Sequence, residues 1–269
     1  MDIVALAEAT EGDLMLGLPG ADEQVRKRMG LAGARIGGGI VLAASKDPSQ
    51  FWSKAQGYGI TQPLTADVIA EVVEFYRGEG VTSANFHLLD KVLPADWEEI
   101  AAKYGLTRGH SLVKLARDDR RVAPAPTTLR VGPIADTDWD AWAAVQIEAF
   151  EFDDPDDRIA GMLRSIGKIE GMTAYGAWDG DVLVGTGALY VDGEAAELVS
   201  GATRPAYRGR GAQSALLARR TQDALAAGCR HVFSETGKPA DGEQNPSLEN
   251  LRRAGFDVIY ERPIWAWKA

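Results

Sequence analysis

The residues best placed for chemistry are Arg208-Gly209-Arg210-Gly211, followed by Ala212 and Gln213. Residues 198–207 before them read as a strand that ends in a turn at Pro205, and residues 212–227 after them read as a helix. This strand, glycine-rich turn and helix layout makes a helix N-terminus into an anion site. The first N–H groups of a helix lack an internal partner, and the macrodipole places partial positive charge there. Gly209 and Gly211 carry no Cβ, so backbone N–H groups can approach a phosphate closely. Arg208 and Arg210 add charge. No Gly-Lys-Ser/Thr follows, so this is not a P-loop, and the third glycine of the dinucleotide fingerprint is missing. Taken alone, the glycines also suit an ordinary turn flanked by two solvated arginines.

A second set of groups lies just upstream. In the strand 195–203, a period of two puts Glu197, Val199, Gly201 and Thr203 on one face. Glu197 reads either as a base beside that strand or as a surface glutamate near Glu194. Asn245 and Asn250 fall in a third segment, where Asn245 suits a helix cap, with Pro246 at the first helical position. Cys229 is the only cysteine, which excludes an intramolecular disulfide and a cysteine-based zinc site. The three histidines, His87, His110 and His231, show no metal spacing, so no metal is expected.

These groups need a scaffold. Charges at 118–121 and prolines at 124 and 126 mark a boundary, giving domains 1–125 and 126–269. In the second domain the pattern reads strand 128–131, helices 140–150 and 156–166, a hairpin of 172–178 and 182–191 around Asp179-Gly180-Asp181, strand 195–203, helix 212–227, strand 230–235, helix 245–254, and strands 256–261 and 264–267. The first domain echoes the ending: helix 64–76, strand 81–88, helix 94–103 and strand 111–116. Gly37-Gly38-Gly39 reads as a turn or bulge.

Pro205-x-Tyr207-Arg208-Gly209-x-Gly211 before an apolar helix resembles the acetyl-CoA loop of the GNAT superfamily of N-acetyltransferases, and the element order of 126–269 is similar to that fold. The resemblance implies an α/β (α+β) protein of two GNAT-like domains, each a mixed, mostly antiparallel sheet flanked by helices. The N-terminal copy is degenerate, because its loop 57–63 has no arginine and contains Pro63. The resemblance also implies that acetyl-CoA is the cosubstrate. Its pyrophosphate would be held by Arg208, Gly209, Arg210, Gly211, Ala212 and Gln213. Its pantetheine arm would lie on Gly201, Ala202 and Thr203, with Asn245 and Asn250 in contact with the coenzyme. Glu197 would be the general base. Gln213 stands where the family usually has Gly or Ala, so its side chain must point away or meet phosphate. Leu251 stands where many members carry a tyrosine acid; Tyr190, Tyr207 and Tyr260 are the substitutes.

Composition sets outer limits. The 269 residues, 45% hydrophobic and 25% charged, suit a globular protein of one or two domains. The absence of a long apolar run or a basic leader sets the expectation of a cytoplasmic protein with no membrane partner. A net charge of −10 argues against nucleic acid. The expected activity is transfer of an acetyl or short acyl group to a primary amine in a ternary complex. The alternatives are a non-catalytic acyl-CoA-binding module and an N-terminal half that only binds a partner. The acidic run Glu151, Asp153, Asp154, Asp156 and Asp157 suits either a cationic acceptor or a solvated helix start.

Overall fold

The computed structural model describes residues 2–269. The chain divides into two compact units, Met1–Leu112 with Tyr260–Ala269, and Val113–Ile259. The boundary expected at Pro126 falls inside the second unit.

In the first unit, α1 (Ile3–Ala21) and α2 (Glu23–Met29) precede β1 (Leu31–Ile36), β2 (Gly39–Ala44) and β3 (Lys54–Gln56). Then come α3 (Ala66–Gly78), β4 (Ser83–His87), α4 (Trp97–Tyr104) and β5 (Thr107–Arg117), whose residues 107–112 belong to this unit. β1, β2 and β3 form an antiparallel meander, and β3 pairs with β4 in parallel. Helix α3 shows why its sequence is helical. Thr65 caps it, and Ile69, Val72, Val73 and Tyr76 form one buried stripe against Phe86, Trp265 and Trp267.

In the second unit, β6 (Arg130–Pro133), α5 (Trp139–Phe150), α6 (Arg158–Ser165), β7 (Met172–Asp179), β8 (Val182–Asp192) and β9 (Ala195–Thr203) lead to α7 (Ala212–Ala226), β10 (His231–Gly237), α8 (Pro246–Arg253) and the start of β11 (Asp257–Lys268), whose residues 260–268 belong to the first unit. β6 to β9 pair antiparallel in order, and β10 pairs with β9 in parallel. The two-residue turn Gly180-Asp181 joins Asp179 to its partner Val182. Leu216, Leu217 and Ala224 of α7 pack with Leu198, Val184 and Val113. Both units therefore run an antiparallel meander, a helix, a strand parallel to the last strand of the meander, a helix and the start of a further strand.

Three expectations change. The strands expected at 256–261 and 264–267 fall in one strand, Asp257–Lys268, because Pro263 only removes a donor and the ladder with β4 begins just after it, at Ile264. β5 starts at Thr107, earlier than the apolar residues suggest. α1 has no counterpart in the sequence reading, because Glu8, Thr10 and Glu11 interrupt its apolar pattern and yet are buried.

Those acids have a partner. Arg262, fully buried, donates to Glu8 at 2.9 Å and to Glu11 at 2.8 Å. His87 is also buried here, and its Nδ1 has no hydrogen-bond partner among the described residues. Burial, Arg262 and Lys54 hold the imidazole well below its ordinary pKa, while Glu11 acts in the opposite direction. The folded state therefore keeps His87 neutral while the unfolded chain protonates near pH ~6.5. Stability is unaffected above that pH. As pH falls below it, the unfolded state binds the extra proton and the fold loses up to ~1.4 kcal/mol per pH unit. Unfolding free energy measured from pH 7.5 to 5 should fall faster in the wild type than in His87→Leu.

Candidate active site

The site is built around an irregularity in β9. Its register against β8 runs Glu197 to Tyr190 and Val199 to Ala188, then resumes at Ala202 with Thr186. Three residues of β9 thus span two of β8, the count of a β-bulge, and Ser200 takes φ 56°. The inserted residue reverses the alternation. Glu197 and Val199 share a face with Ala202, while Gly201 and Thr203 look toward α7. This corrects the face assigned by strict period two.

Beyond the bulge the parallel ladder to β10 does not continue. Its last register pair is Leu198 with Ser234, although β9 runs to Thr203 and β10 to Gly237. Strand ends that separate leave backbone groups without ladder partners. Side chains supply donors instead. Arg220 Nη1 donates to Val199 O at 2.9 Å, Gln146 Nε2 to Ser200 O at 2.6 Å, and Gln213 Nε2 to Ala202 O at 2.6 Å. Gln213 also donates to Thr203 Oγ1 at 3.1 Å, so its side chain turns to the strand and away from the loop.

The loop follows. Pro205–Tyr207 forms one 3-10 turn, Gly209 has φ 78°, and Gly211 has φ 80° as the N-cap of α7. No side chain caps α7 and no acid lies in its first turn. The N–H groups of Ala212 and Gln213 therefore open the helix with its positive end unoccupied. The two arginines differ. Arg210 is held by Asp179 at 2.6 Å and lies over the Tyr207 ring. Arg208 is exposed, and its side chain makes no hydrogen bond or ion pair among the described residues. The segment 118–129, expected as a linker, reaches this loop: Thr127 Oγ1 donates to Arg210 O at 3.2 Å.

The remaining groups are placed as follows. Glu197 is 1% exposed and accepts from the equally buried Lys114 Nζ at 2.9 Å. Asn245 is the cap of α8: its Oδ1 accepts from Ser247 and Leu248, and its Nδ2 donates to Thr236 Oγ1 and Gly237 O. Asn250 Oδ1 accepts from Arg253 at 2.5 Å. Leu251 is core, and Tyr260, in the first unit, donates to Glu8. Asp154 takes the helix-start role within the acidic run, accepting from the N–H groups of Arg158, Ile159 and Ala160. Gln146, Lys114 and Arg220 are absent from the sequence reading. Gln146 and Lys114 each interrupt an apolar stretch, which is the only signal they give, and Arg220, between Arg219 and Thr221, gives none.

The comparable place in the first unit is closed. Gly57 N donates to Glu8, Tyr58 is buried, Thr65 caps α3 and Asp67 lies in its first turn.

The model of the acetyltransferase (GNAT) family matches residues 136–245. Comparison with curated proteins finds no match. Solved structures of similar fold include a GCN5-related N-acetyltransferase from Kribbella flavida, at 16% identity and TM-score 0.61, covering 93% of this chain and 94% of that one. A tandem GNAT protein from the clavulanic acid biosynthesis pathway matches at 16% identity and TM-score 0.60, covering 97% and 94%. A GCN5-related N-acetyltransferase from Sphaerobacter thermophilus matches at 15% and 0.58, covering 96% and 91%.

The loop can be tested by charge. A Cβ on Gly209 meets nothing within 4 Å, whereas one on Gly211 would lie 3.0 Å from Pro126 O. Gly209→Asp meets only the strain of its positive φ, which Asp bears better than most residues, so it should fold and weaken binding of inorganic pyrophosphate, read by calorimetry, by about tenfold or more, a loss of ~1.4 kcal/mol. Gly211→Asp should lower the melting temperature as well.

Proposed function

Because residues 136–245 match the model of the acetyltransferase (GNAT) family, we propose that the protein transfers an acetyl or other short acyl group from acetyl-CoA to a primary amine, by direct attack in a ternary complex. The observation that carries this reading is the uncapped start of α7 beside a strand that leaves its neighbour. One end suits a pyrophosphate and the other a pantetheine arm and thioester.

In this reading the N–H groups after Gly209 and Gly211 cradle the pyrophosphate and Arg208 supplies the cation. Arg210 acts chiefly to brace the loop through Asp179. Backbone groups of Gly201, Ala202 and Thr203 hold the amide arm and polarise the thioester carbonyl. Gln213 contributes its backbone N–H and uses its side chain on the strand. Asn245 and Asn250 support α8 and the end of β10, at the far wall.

The amine nitrogen attacks the carbonyl carbon, the C–S bond breaks, and coenzyme A leaves as a thiolate that solvent protonates. An acceptor amine is mostly ammonium at neutral pH, so a base must take its proton first. Glu197 takes it through water. Lys114 Nζ, which donates to that carboxylate at 2.9 Å, orients it.

The first unit binds no coenzyme in this reading. Its helix start already has a cap, an acid in the first turn and a buried tyrosine at the strand end. Titration of the full chain with acetyl-CoA should give one site; two equivalent sites would remove the claim that the first copy is degenerate.

Glu197→Gln alone strands the Lys114 ammonium in the core, at a cost of ~3–5 kcal/mol. The pair Lys114→Met with Glu197→Gln removes both charges. This double variant should fold and bind acetyl-CoA normally, with kcat reduced ~10²–10⁴-fold and the acid limb of its pH profile altered. Wild-type kcat in the folded double variant would make the pair structural and put the base elsewhere.

A further inference from the structure

Arg220 sits midway along α7, 2% exposed, with its guanidinium under the sheet. Buried arginines normally pair with a carboxylate. Arg220 has none among the described residues. Its hydrogen bonds all go to backbone carbonyls: Nε to Leu216 O at 3.1 Å, and Nη1 to Ala188 O at 3.0 Å and Val199 O at 2.9 Å. Burial lowers its pKa to about 10. Apolar side chains of similar volume often replace buried charges without loss of stability, so packing alone does not call for an arginine here.

Its surroundings are built to receive it. Gly187 of β8 leaves the space, since a Cβ there would lie 2.5 Å from Arg220 Cζ. Ala188 and Val199 are the register pair at which the ladder halts before the bulge. Nη2 makes no hydrogen bond among the described residues and lies 4.0 Å from where a Cβ of Gly201 would be. The cation thus grips both strands at the bulge and turns its unused nitrogen toward the residue that opens the strand edge.

We propose that Arg220 is a positioning residue for acyl transfer: it fixes the bulge that presents Gly201–Thr203 to the thioester and sets a positive field where negative charge collects during attack. This rests on the acetyl-CoA reading above. As the amine nitrogen bonds to the carbonyl carbon, an electron pair moves onto the oxygen. It returns when the C–S bond breaks and sulfur leaves with its own pair. Arg220 exchanges no proton and touches no reacting atom; it acts through the strand and through its field.

The test uses the full chain as wild type, Arg220→Met and Arg220→Lys. Coenzyme A affinity is measured by calorimetry, and kcat from thiol release with acetyl-CoA and a panel of small primary amines. The Met variant should keep its coenzyme A affinity within about threefold while kcat falls about a hundredfold, the scale of losing one preorganised donor. The Lys variant should recover about tenfold of that loss, because it restores the charge but not the two-carbonyl grip. A folded Met variant with wild-type kcat overturns the proposal, and so do equal losses in the Met and Lys variants. A second measurement needs neither an acceptor nor a folded Met variant. In wild-type protein carrying ¹⁵N-arginine, the Arg220 side-chain signal, assigned by its absence in Arg220→Lys, should shift when acetyl-CoA is added, and an unmoved signal overturns the proposal. Failure of the wild type itself to bind acetyl-CoA overturns the coenzyme reading first, a result distinct from a defect confined to the variants.

Discussion

The second unit depends on how β9 satisfies its backbone after Leu198. A strand that leaves its neighbour exposes carbonyls and N–H groups that water or another partner must take. Here three side chains from two helices, Arg220, Gln146 and Gln213, supply donors to Val199, Ser200 and Ala202. They approach from both faces of the sheet, so the bulge is held independently of β10. That arrangement makes an open strand edge affordable in a folded core, and it leaves the edge free for a ligand with amide groups of its own.

The two units put the same succession of elements to different chemical use. In the second, the helix after the meander begins uncapped, with one arginine lacking a protein partner. In the first, Thr65 closes the helix start, Asp67 adds a negative charge to its first turn, and Glu8 takes the N–H of Gly57. The interior of the first unit is given over to aromatic packing, with Tyr76 stacked on Trp267 and Trp97 edge-on to Trp265, and to the Arg262 network. A few side chains at one turn separate a helix start left uncapped from one that is capped.

What could be read from the sequence follows the range of the interactions. The Gly-rich turn, the 179–182 hairpin, the caps at Thr65 and Asn245 and the amphipathic stripe of α3 are local, and each has a local signature. The bulge is a relation between two strands, and nothing at Ser200 announces a positive φ. Lys114 and Glu197 are 83 residues apart and meet only in the fold. Arg220 reads as a solvated arginine until Gly187 is seen opposite. The same holds for α1, where Glu8 and Glu11 look like surface residues because their partner, Arg262, is some 250 residues away.

The division of the chain also sets an order of events during synthesis. The first unit includes Tyr260–Ala269, and its core contains Trp265 and Trp267. β4 finds its antiparallel partner, Ile264–Lys268, only after about 175 intervening residues have been made. A domain made earlier ordinarily folds before the one made after it as the chain leaves the ribosome. This one must wait with Phe86 and Tyr76 incompletely covered, while all of the second unit emerges before it can close. The late-closing loop is long and raises contact order, which slows folding. The segment that completes the first unit is thus translated after the whole of the second, and chains cut short near Ile259 would lose part of their first core while retaining the second.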